Sequence, residues 1–313
     1  MDYFLNMIFN NNQIGGSKKH NALQKRQIAK KLKDISKQEA IDDYEKLLHI
    51  DLNKISNETR IGNKFVDYFT FPHRLETISK KGMNFFDFMN DTNYHEKKYI
   101  QNLIKSQNDK DKDVTLYRVF KLHCGSIGIF KPVTSMEIYK KFKPTSILDF
   151  TMGWGGRLVG ACALDIKNYI GIDSNKKLKP SYLKMIELLK ELDCKTKIKL
   201  IFNDALKVDY SKLNYDCVLT SPPYYNLEIY EGMTPKTKDE WINDFYIPLF
   251  IKTFNHLKNG GHYILNISQD IYKTAAIPVL GIANIIIPLK KKSLPKNKKL
   301  TKDYTEFMYV WNK

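Results

Sequence analysis

The sequence predicts an α/β protein: a seven-stranded, mostly parallel sheet ending in a C-terminal antiparallel hairpin, behind a mainly helical N-terminal domain. Three observations predict it. After Pro144, short apolar runs alternate with helical patterns, as crossover connections between parallel strands require. Residues 1–112 lack that alternation and read as helical and irregular. The last two apolar runs are joined by a lysine-rich, proline-containing segment with no helical pattern, which suits an antiparallel pair at a sheet edge.

In chain order, a basic amphipathic run covers Lys18 to Leu48, an aromatic segment covers Phe65 to Phe88, and the polar stretch SQNDKDKD occupies 106–113. That stretch is the expected linker, dividing the chain into an N-terminal domain, 1–112, and a second domain, 113–313. Strands are expected at Ser146 to Phe150, Tyr169 to Asp173, Ile198 to Phe202, Cys217 to Thr220, His262 to Ile267, Asn284 to Pro288 and Phe307 to Trp311. Leu178 to Leu192 and Asp239 to Leu257 are long enough to be crossover helices. There are no internal repeats.

A chain of 313 residues has room for one sizeable core plus a smaller domain. No apolar stretch reaches the roughly 18 residues of a spanning helix, and the N-terminus has no cationic region before its apolar patch. Neither a membrane partner nor a signal peptide is expected, and a soluble intracellular protein of the cytoplasm, nucleoid or a viral factory is. Cys124, Cys162, Cys194 and Cys217 form no CxxC pair, so no structural metal or disulfide framework is expected. The balance of 51 Lys+Arg against 34 Asp+Glu, net +17, favours a polyanionic partner. Only five of those cations are Arg, and the abundance of Lys, Asn and Ile also fits A/T-rich codon usage.

The first chemical motif is Asp149-Phe150-Thr151-Met152-Gly153-Trp154-Gly155-Gly156-Arg157, between an expected strand and a helical run. Glycines there permit a sharp turn and close approach of backbone to a ligand. Asp173 ends the next strand, twenty residues past Gly153, where an acid reaches a ribose hydroxyl pair. A nucleoside-containing cofactor follows, although Leu158 stands where the dinucleotide pattern has its third glycine, the one that permits close helix packing. Asn203-Asp204, after the third strand, suits either an adenine edge or a helix cap.

The second motif is Thr220-Ser221-Pro222-Pro223-Tyr224-Tyr225-Asn226, directly after the fourth strand. Open parallel sheets bind ligands outside the carboxyl ends of their strands, near the switch in strand order, so both motifs converge on one crevice. Two prolines stiffen the loop and remove two N–H donors, leaving carbonyls and the Ser221 hydroxyl as acceptors for an amine. Tyr224 adds a flat face on which a base rotated out of a helix can stack.

From about Phe130 to Lys313 the sequence resembles S-adenosylmethionine-dependent methyltransferases of the exocyclic amino group of DNA bases, cytosine N4 or adenine N6. Ser221-Pro222-Pro223-Tyr224 resembles their catalytic motif. Asp149 to Gly155 resembles their cofactor loop, with Thr151 where Phe is usual and Trp154 between the glycines. Asp173 matches the ribose-binding acid, and Phe130-Lys131-Pro132 resembles the segment holding the methionine end. The resemblance implies a Rossmann-like methyltransferase fold and S-adenosyl-L-methionine as cofactor. It implies double-stranded DNA with the target base flipped out as partner, and in-line transfer with Ser221 and the Pro222 carbonyl accepting hydrogen bonds from the target amine. Ser at the first motif position resembles the cytosine N4 branch; Asp is commoner in adenine N6 enzymes, and Asn in protein glutamine or RNA guanine methyltransferases. RNA as substrate and a non-catalytic nucleic-acid-binding subunit are the rivals, and the oligomeric state is left open, a homodimer included. No cysteine follows a proline, which excludes C5 chemistry. The Gly153 to Arg157 variant also resembles methyltransferases of large DNA viruses and phages.

The departure from that family lies in target recognition. Only 71 residues separate Asp149 from Ser221, all consumed by strands and helices, so recognition is expected in residues 1–112 and in loops. Within that region Asn63 to Arg74 mixes aromatics with Lys and Arg, which suits either stacking on bases or an aromatic minicore. Lys290 to Lys302, with seven lysines and no acid, suits a phosphate-contacting loop or a solvated hairpin tip. Glu228, Glu231 and Asp270 are near the second motif without a specific role.

Overall fold

The computed structural model describes residues 20–54, 59–226, 228–229, 236–289 and 306–313. Lys290 to Lys302 and Glu231 lie outside them, as does the start of the Lys18 run. The strands are β1 (Ile78–Ser79), β2 (Ser146–Asp149), β3 (Asn168–Asp173), β4 (Lys197–Phe202), β5 (Cys217–Thr220), β6 (Glu228–Ile229), β7 (His262–Ile267), β8 (Ile285–Leu289) and β9 (Glu306–Asn312). Seven of them form one sheet in the order β4-β3-β2-β5-β7-β9-β8. Pairing is parallel from β4 to β7, and β9 is antiparallel to both β7 and β8. This is the seven-stranded, mostly parallel sheet with a C-terminal antiparallel pair expected from the sequence. The chain moves outward from β2 to β4 and then returns to β5 on the other side of β2, which opens a crevice between the carboxyl ends of β2 and β5.

Side chains alternate faces along each strand, so the sheet has two apolar coats. Ile147, Cys217, Leu219, Ile264, Met308 and Val310 belong to one, Leu148, Val218, Tyr263, Leu265, Tyr309 and Trp311 to the other. The first coat is shared with α1 (Ala22–Leu32), α2 (Lys37–Leu48), α3 (Asn63–Leu75), α4 (Phe85–Asn90), α5 (Lys98–Lys105), α6 (Lys112–Cys124), α7 (Pro132–Phe142), α8 (Gly156–Ala163) and α9 (Lys179–Glu191). Phe65, Phe69, Phe71, Phe85, Phe86 and Phe88 are all buried there, so these rings form the minicore rather than a stacking surface for bases. Arg74 is likewise buried, ion-paired to Asp67.

Among the contacts that tie the N-terminal helices to the sheet's helices and loops, two bear on the site. Buried His73 hydrogen-bonds through Nε2 to Ser181 Oγ of α9 at 2.7 Å, and burial lowers its pKa to about 3, keeping the ring neutral. β1 pairs antiparallel with β6, the strand just beyond the Ser-Pro-Pro-Tyr loop. Within the polar stretch at 106–113, Asp111 caps α6 by accepting from the Asp113 and Val114 amides. α6 packs on α1, α4 and α5.

The second coat holds α10 (Ile247–Asn255), which was expected as part of one helix from Asp239 to Leu257. The observed segment starts as a helical turn, Lys238–Trp241, widens to a π turn over Ile242–Tyr246, and only then continues as α10. Pro248 explains it: proline has no N–H for the carbonyl four residues back and its ring crowds that carbonyl, so the turn opens. The same device recurs at Tyr272–Ala276, ahead of Pro278.

Candidate active site

A cavity of about 1010 Å³ runs along the carboxyl ends of β2, β3, β5 and β7. One side is built chiefly from backbone. The Met152 amide donates to the Ile172 carbonyl at 2.9 Å, holding the glycine loop against β3. The Tyr182 hydroxyl donates to the Gly153 carbonyl at 2.9 Å. Gly155 takes φ +94°, a conformation that favours glycine. At Gly156 a Cβ would lie 1.7 Å from the Phe130 carbonyl oxygen. A hydrogen at that position is therefore what lets Phe130 and Lys131 reach the cavity wall, where both are found. A Cβ on Gly160 would meet Ser135 Oγ at 2.0 Å. Gly156 and Gly160 thus supply the close helix packing thought to be missing when Leu158 replaced the third glycine.

Asp173 sits at the end of β3. Its Oδ2 accepts from the Gly153 amide at 2.9 Å and its Oδ1 from the Asn175 amide at 2.8 Å. Burial pushes its pKa up to about 6 despite these two donors.

Asp149 was expected at the cofactor, but it is fully buried beneath the loop and does not line the cavity. Its carboxylate takes Arg157 Nε at 2.7 Å and Nη2 at 3.1 Å, the Tyr169 hydroxyl at 2.6 Å and the Thr220 hydroxyl at 2.8 Å. A carboxylate so surrounded satisfies the buried charge of Arg157. Burial alone would lower the Arg157 pKa, but the Asp149 charge outweighs it and the pKa is raised. Since Thr220 donates its proton to Asp149, its oxygen accepts from the Thr151 amide at 3.2 Å and from the Thr151 hydroxyl at 2.7 Å. Asp149 therefore laces the two motifs together across the switch point.

Three other expected cofactor residues also stand off the wall. Gly155 turns the loop above Met185, Pro132 opens α7, and exposed Asn203 accepts from the Asp204 amide at 2.9 Å. Asp204 both caps the next turn, accepting from Leu206 N at 3.0 Å, and lines the cavity. Thr151, Gly153, Trp154 and Asp173 line it too.

The other side is built from side chains. Ser221, Pro222, Pro223 and Tyr224 line it together with Trp241, Phe245 and Asn266. Ser221 Oγ donates to Asn266 Oδ1 at 3.1 Å, and the Tyr224 hydroxyl reaches the same oxygen at 3.3 Å. Tyr246 braces the loop from behind: it donates to the Pro223 carbonyl at 2.6 Å and accepts from the Tyr225 amide at 2.9 Å. Tyr225, at φ +51°, turns its hydroxyl to Asp270, which also takes Lys238 at 2.7 Å. Asp270 thus braces the loop's outer flank.

Sequence reasoning missed Trp241, Phe245 and Asn266, and it named Arg157 and Thr220 within the two motifs without giving either a role. A lone amide within Tyr263-Ile264-Leu265-Asn266-Ile267 was the available cue for Asn266. Among the described residues, no cluster of His, Cys, Asp and Glu suited to a metal ion occurs, and no helix is long and apolar enough to cross a membrane.

No family model matches the sequence, and no curated protein matches it. Among solved structures, TrmN from Thermus thermophilus is similar over 59% of this chain and 49% of its own, at 14% identity and a TM-score of 0.38. The chain therefore spans about half of TrmN. A putative RNA methyltransferase from Pyrococcus horikoshii is similar over 58% of this chain and 83% of its own, at 18% identity and a TM-score of 0.38. An rRNA methylase from Streptococcus thermophilus is similar over 59% of this chain and 98% of its own, at 14% identity and a TM-score of 0.36.

Proposed function

We propose that the protein transfers a methyl group from S-adenosylmethionine to an exocyclic amino group of a nucleic-acid base. The observation that carries this reading is the opening of the glycine loop, Asp173 and the Ser-Pro-Pro-Tyr loop onto one cavity. The residues suit the cofactor. Asp173 accepts one N–H on each oxygen, which leaves lone pairs for a ribose hydroxyl pair. Asp204, Ala205 and Leu206 supply a wall for the adenine, and Phe130 and Lys131 flank the space for the methionine end.

When bound, the cofactor supplies an electrophilic methyl group. The chain's part is positioning. Ser221 Oγ and the Pro222 carbonyl accept the N–H bonds of the amine and so aim its lone pair; Tyr224 offers its ring to the base; Trp241 and Phe245 exclude water. The Ser at position 221 favours cytosine N4 over adenine N6, and a flipped base of duplex DNA is the first substrate to test. Residues 1–112 are the proposed recognition region and 113–313 the catalytic one.

The test is to incubate the purified protein with S-adenosylmethionine and unmethylated DNA or RNA, digest each, and identify modified nucleosides by mass spectrometry. N4-methylcytosine from DNA is the expected product. N6-methyladenine would correct the base, and a product from RNA alone would correct the polymer. Neither product, with no cofactor binding by calorimetry, would leave a non-catalytic subunit.

A further inference from the structure

Asn266 is a buried amide in an apolar strand. Its neighbours Tyr263, Ile264, Leu265 and Ile267 are fully buried, and it is itself 5% exposed. An amide in such a place is costly unless its hydrogen bonds are made. Here they are made largely to the proposed active site. Nδ2 donates to the Phe307 carbonyl at 3.2 Å, while Oδ1 faces Ser221 Oγ at 3.1 Å and the Tyr224 hydroxyl at 3.3 Å. The Phe307 contact assigns the amide's orientation, because a carbonyl oxygen only accepts. The oxygen of Asn266 must therefore face the loop.

A serine hydroxyl has one proton. With that proton committed to Asn266, what Ser221 turns to the cavity is lone pairs. The tyrosine hydroxyl likewise directs its proton to Asn266, at Oδ1 and at the backbone carbonyl 3.2 Å away. We propose that Asn266 is a positioning residue that holds Ser221 as an acceptor, so that the site admits a base edge presenting N–H and disfavours one presenting a carbonyl. This rests on the amine methylation proposed above and sharpens it. Cytosine and adenine carry an amino group at the reacting edge, whereas uracil, thymine and hypoxanthine carry a keto oxygen there. An amide oxygen is also too weak a base to take up the proton the methylated amine must lose, so Asn266 orients Ser221 and does not carry that proton.

The experiment compares full-length wild type, Asn266→Ala, Asn266→Asp, Ser221→Ala and the Asn266→Ala/Ser221→Ala double variant. The readouts are kcat and KM for the nucleic acid, cofactor affinity, and inhibition by homopolymers carrying cytosine or uracil. If the product is methyladenine, adenine and hypoxanthine homopolymers replace them. Asn266→Ala is expected to lower kcat about 10- to 100-fold with cofactor affinity unchanged, through the loss of the buried hydrogen bond that orients Ser221. It is also expected to narrow the preference for the amino-bearing over the keto-bearing polymer. Asn266→Asp, which keeps an acceptor, should retain that preference, and the double variant should be little worse than Ser221→Ala. If Asn266→Ala does not fold by circular dichroism, Asn266→Leu, closer in volume to the amide, takes its place. Independent, fully multiplying losses, or an unchanged polymer preference, overturn the inference while leaving the methyltransferase reading intact. A wild type that methylates nothing overturns both.

Discussion

The two sides of the cavity are made differently. The side proposed for the cofactor is largely backbone: a glycine loop held by β3, with one carboxylate, Asp173, fixed by two amides. The side proposed for the target is largely side chains drawn from the loop after β5, from the segment Lys238–Tyr246 and from β7: Ser221, Tyr224, Trp241, Phe245 and Asn266. A backbone cradle needs residues close together in sequence, since a single turn makes it. A side-chain constellation needs residues only close in space. The difference predicts that the two sides fail separately, except where Asp149 joins them.

Asp149→Ala should have the largest effect. It leaves Arg157 buried without its carboxylate and frees Thr220, so a loss of about 3–5 kcal/mol is expected in urea unfolding, with both cofactor binding and turnover lost. Unchanged stability would mean that the two sides are not joined there.

Ser221→Ala should come next and touch one side only. A fall in kcat of about 100-fold is expected, comparable to removing one fixed partner of a reacting group, with calorimetric cofactor affinity unchanged.

Gly156→Ala should do the converse. Its Cβ would meet the Phe130 carbonyl at 1.7 Å, so the segment around Phe130 must move, at a cost of about 1–3 kcal/mol. Weaker cofactor binding is expected, with kcat recovering at saturating cofactor; a lowered kcat at saturation would show that the sides are coupled beyond Asp149.

The smallest effect is one of pH. In the proposed site ribose hydroxyls would donate to Asp173, so binding would favour its carboxylate, and affinity should fall about tenfold per unit as pH drops below about 6 and be flat above it. Asp173→Asn should remove the slope. Folding responds with the opposite sign. The pKa of Asp173 in the folded protein, about 6, lies above the ordinary 3.8, so its stabilising contribution is complete below about pH 4 and lost as pH rises through 6.

Much of the sheet was legible because strands advertise themselves locally. Ser146 to Phe150 was expected and Ser146–Asp149 observed; Asn284 to Pro288 was expected and Ile285–Leu289 observed. The π turns were not legible: Asp239 to Leu257 was expected as one unbroken helix, whereas the chain widens ahead of Pro248, and again ahead of Pro278, because each proline lacks the N–H that would close an ordinary turn. The Asn63 to Arg74 segment allowed two outcomes from sequence, and the burial of Phe65, Phe69 and Phe71 chose the minicore. Asp149 was expected at the cofactor and lies beneath the loop, because a carboxylate beside a glycine loop looks the same in sequence whether it faces a ligand or a buried guanidinium 2.7 Å away.

By itself, then, the sequence determined the class of fold, the two loops and their convergence at one crevice, since strand periodicity and glycine and proline chemistry act within a few residues. Tertiary structure alone decided which motif residues line the cavity and which brace it from below. It also brought Asn266 to Ser221 across 45 residues of chain, and the Phe130 carbonyl onto Gly156. Those contacts depend on how strands and helices stack, and no local pattern encodes a distance between residues that meet only after the sheet has formed.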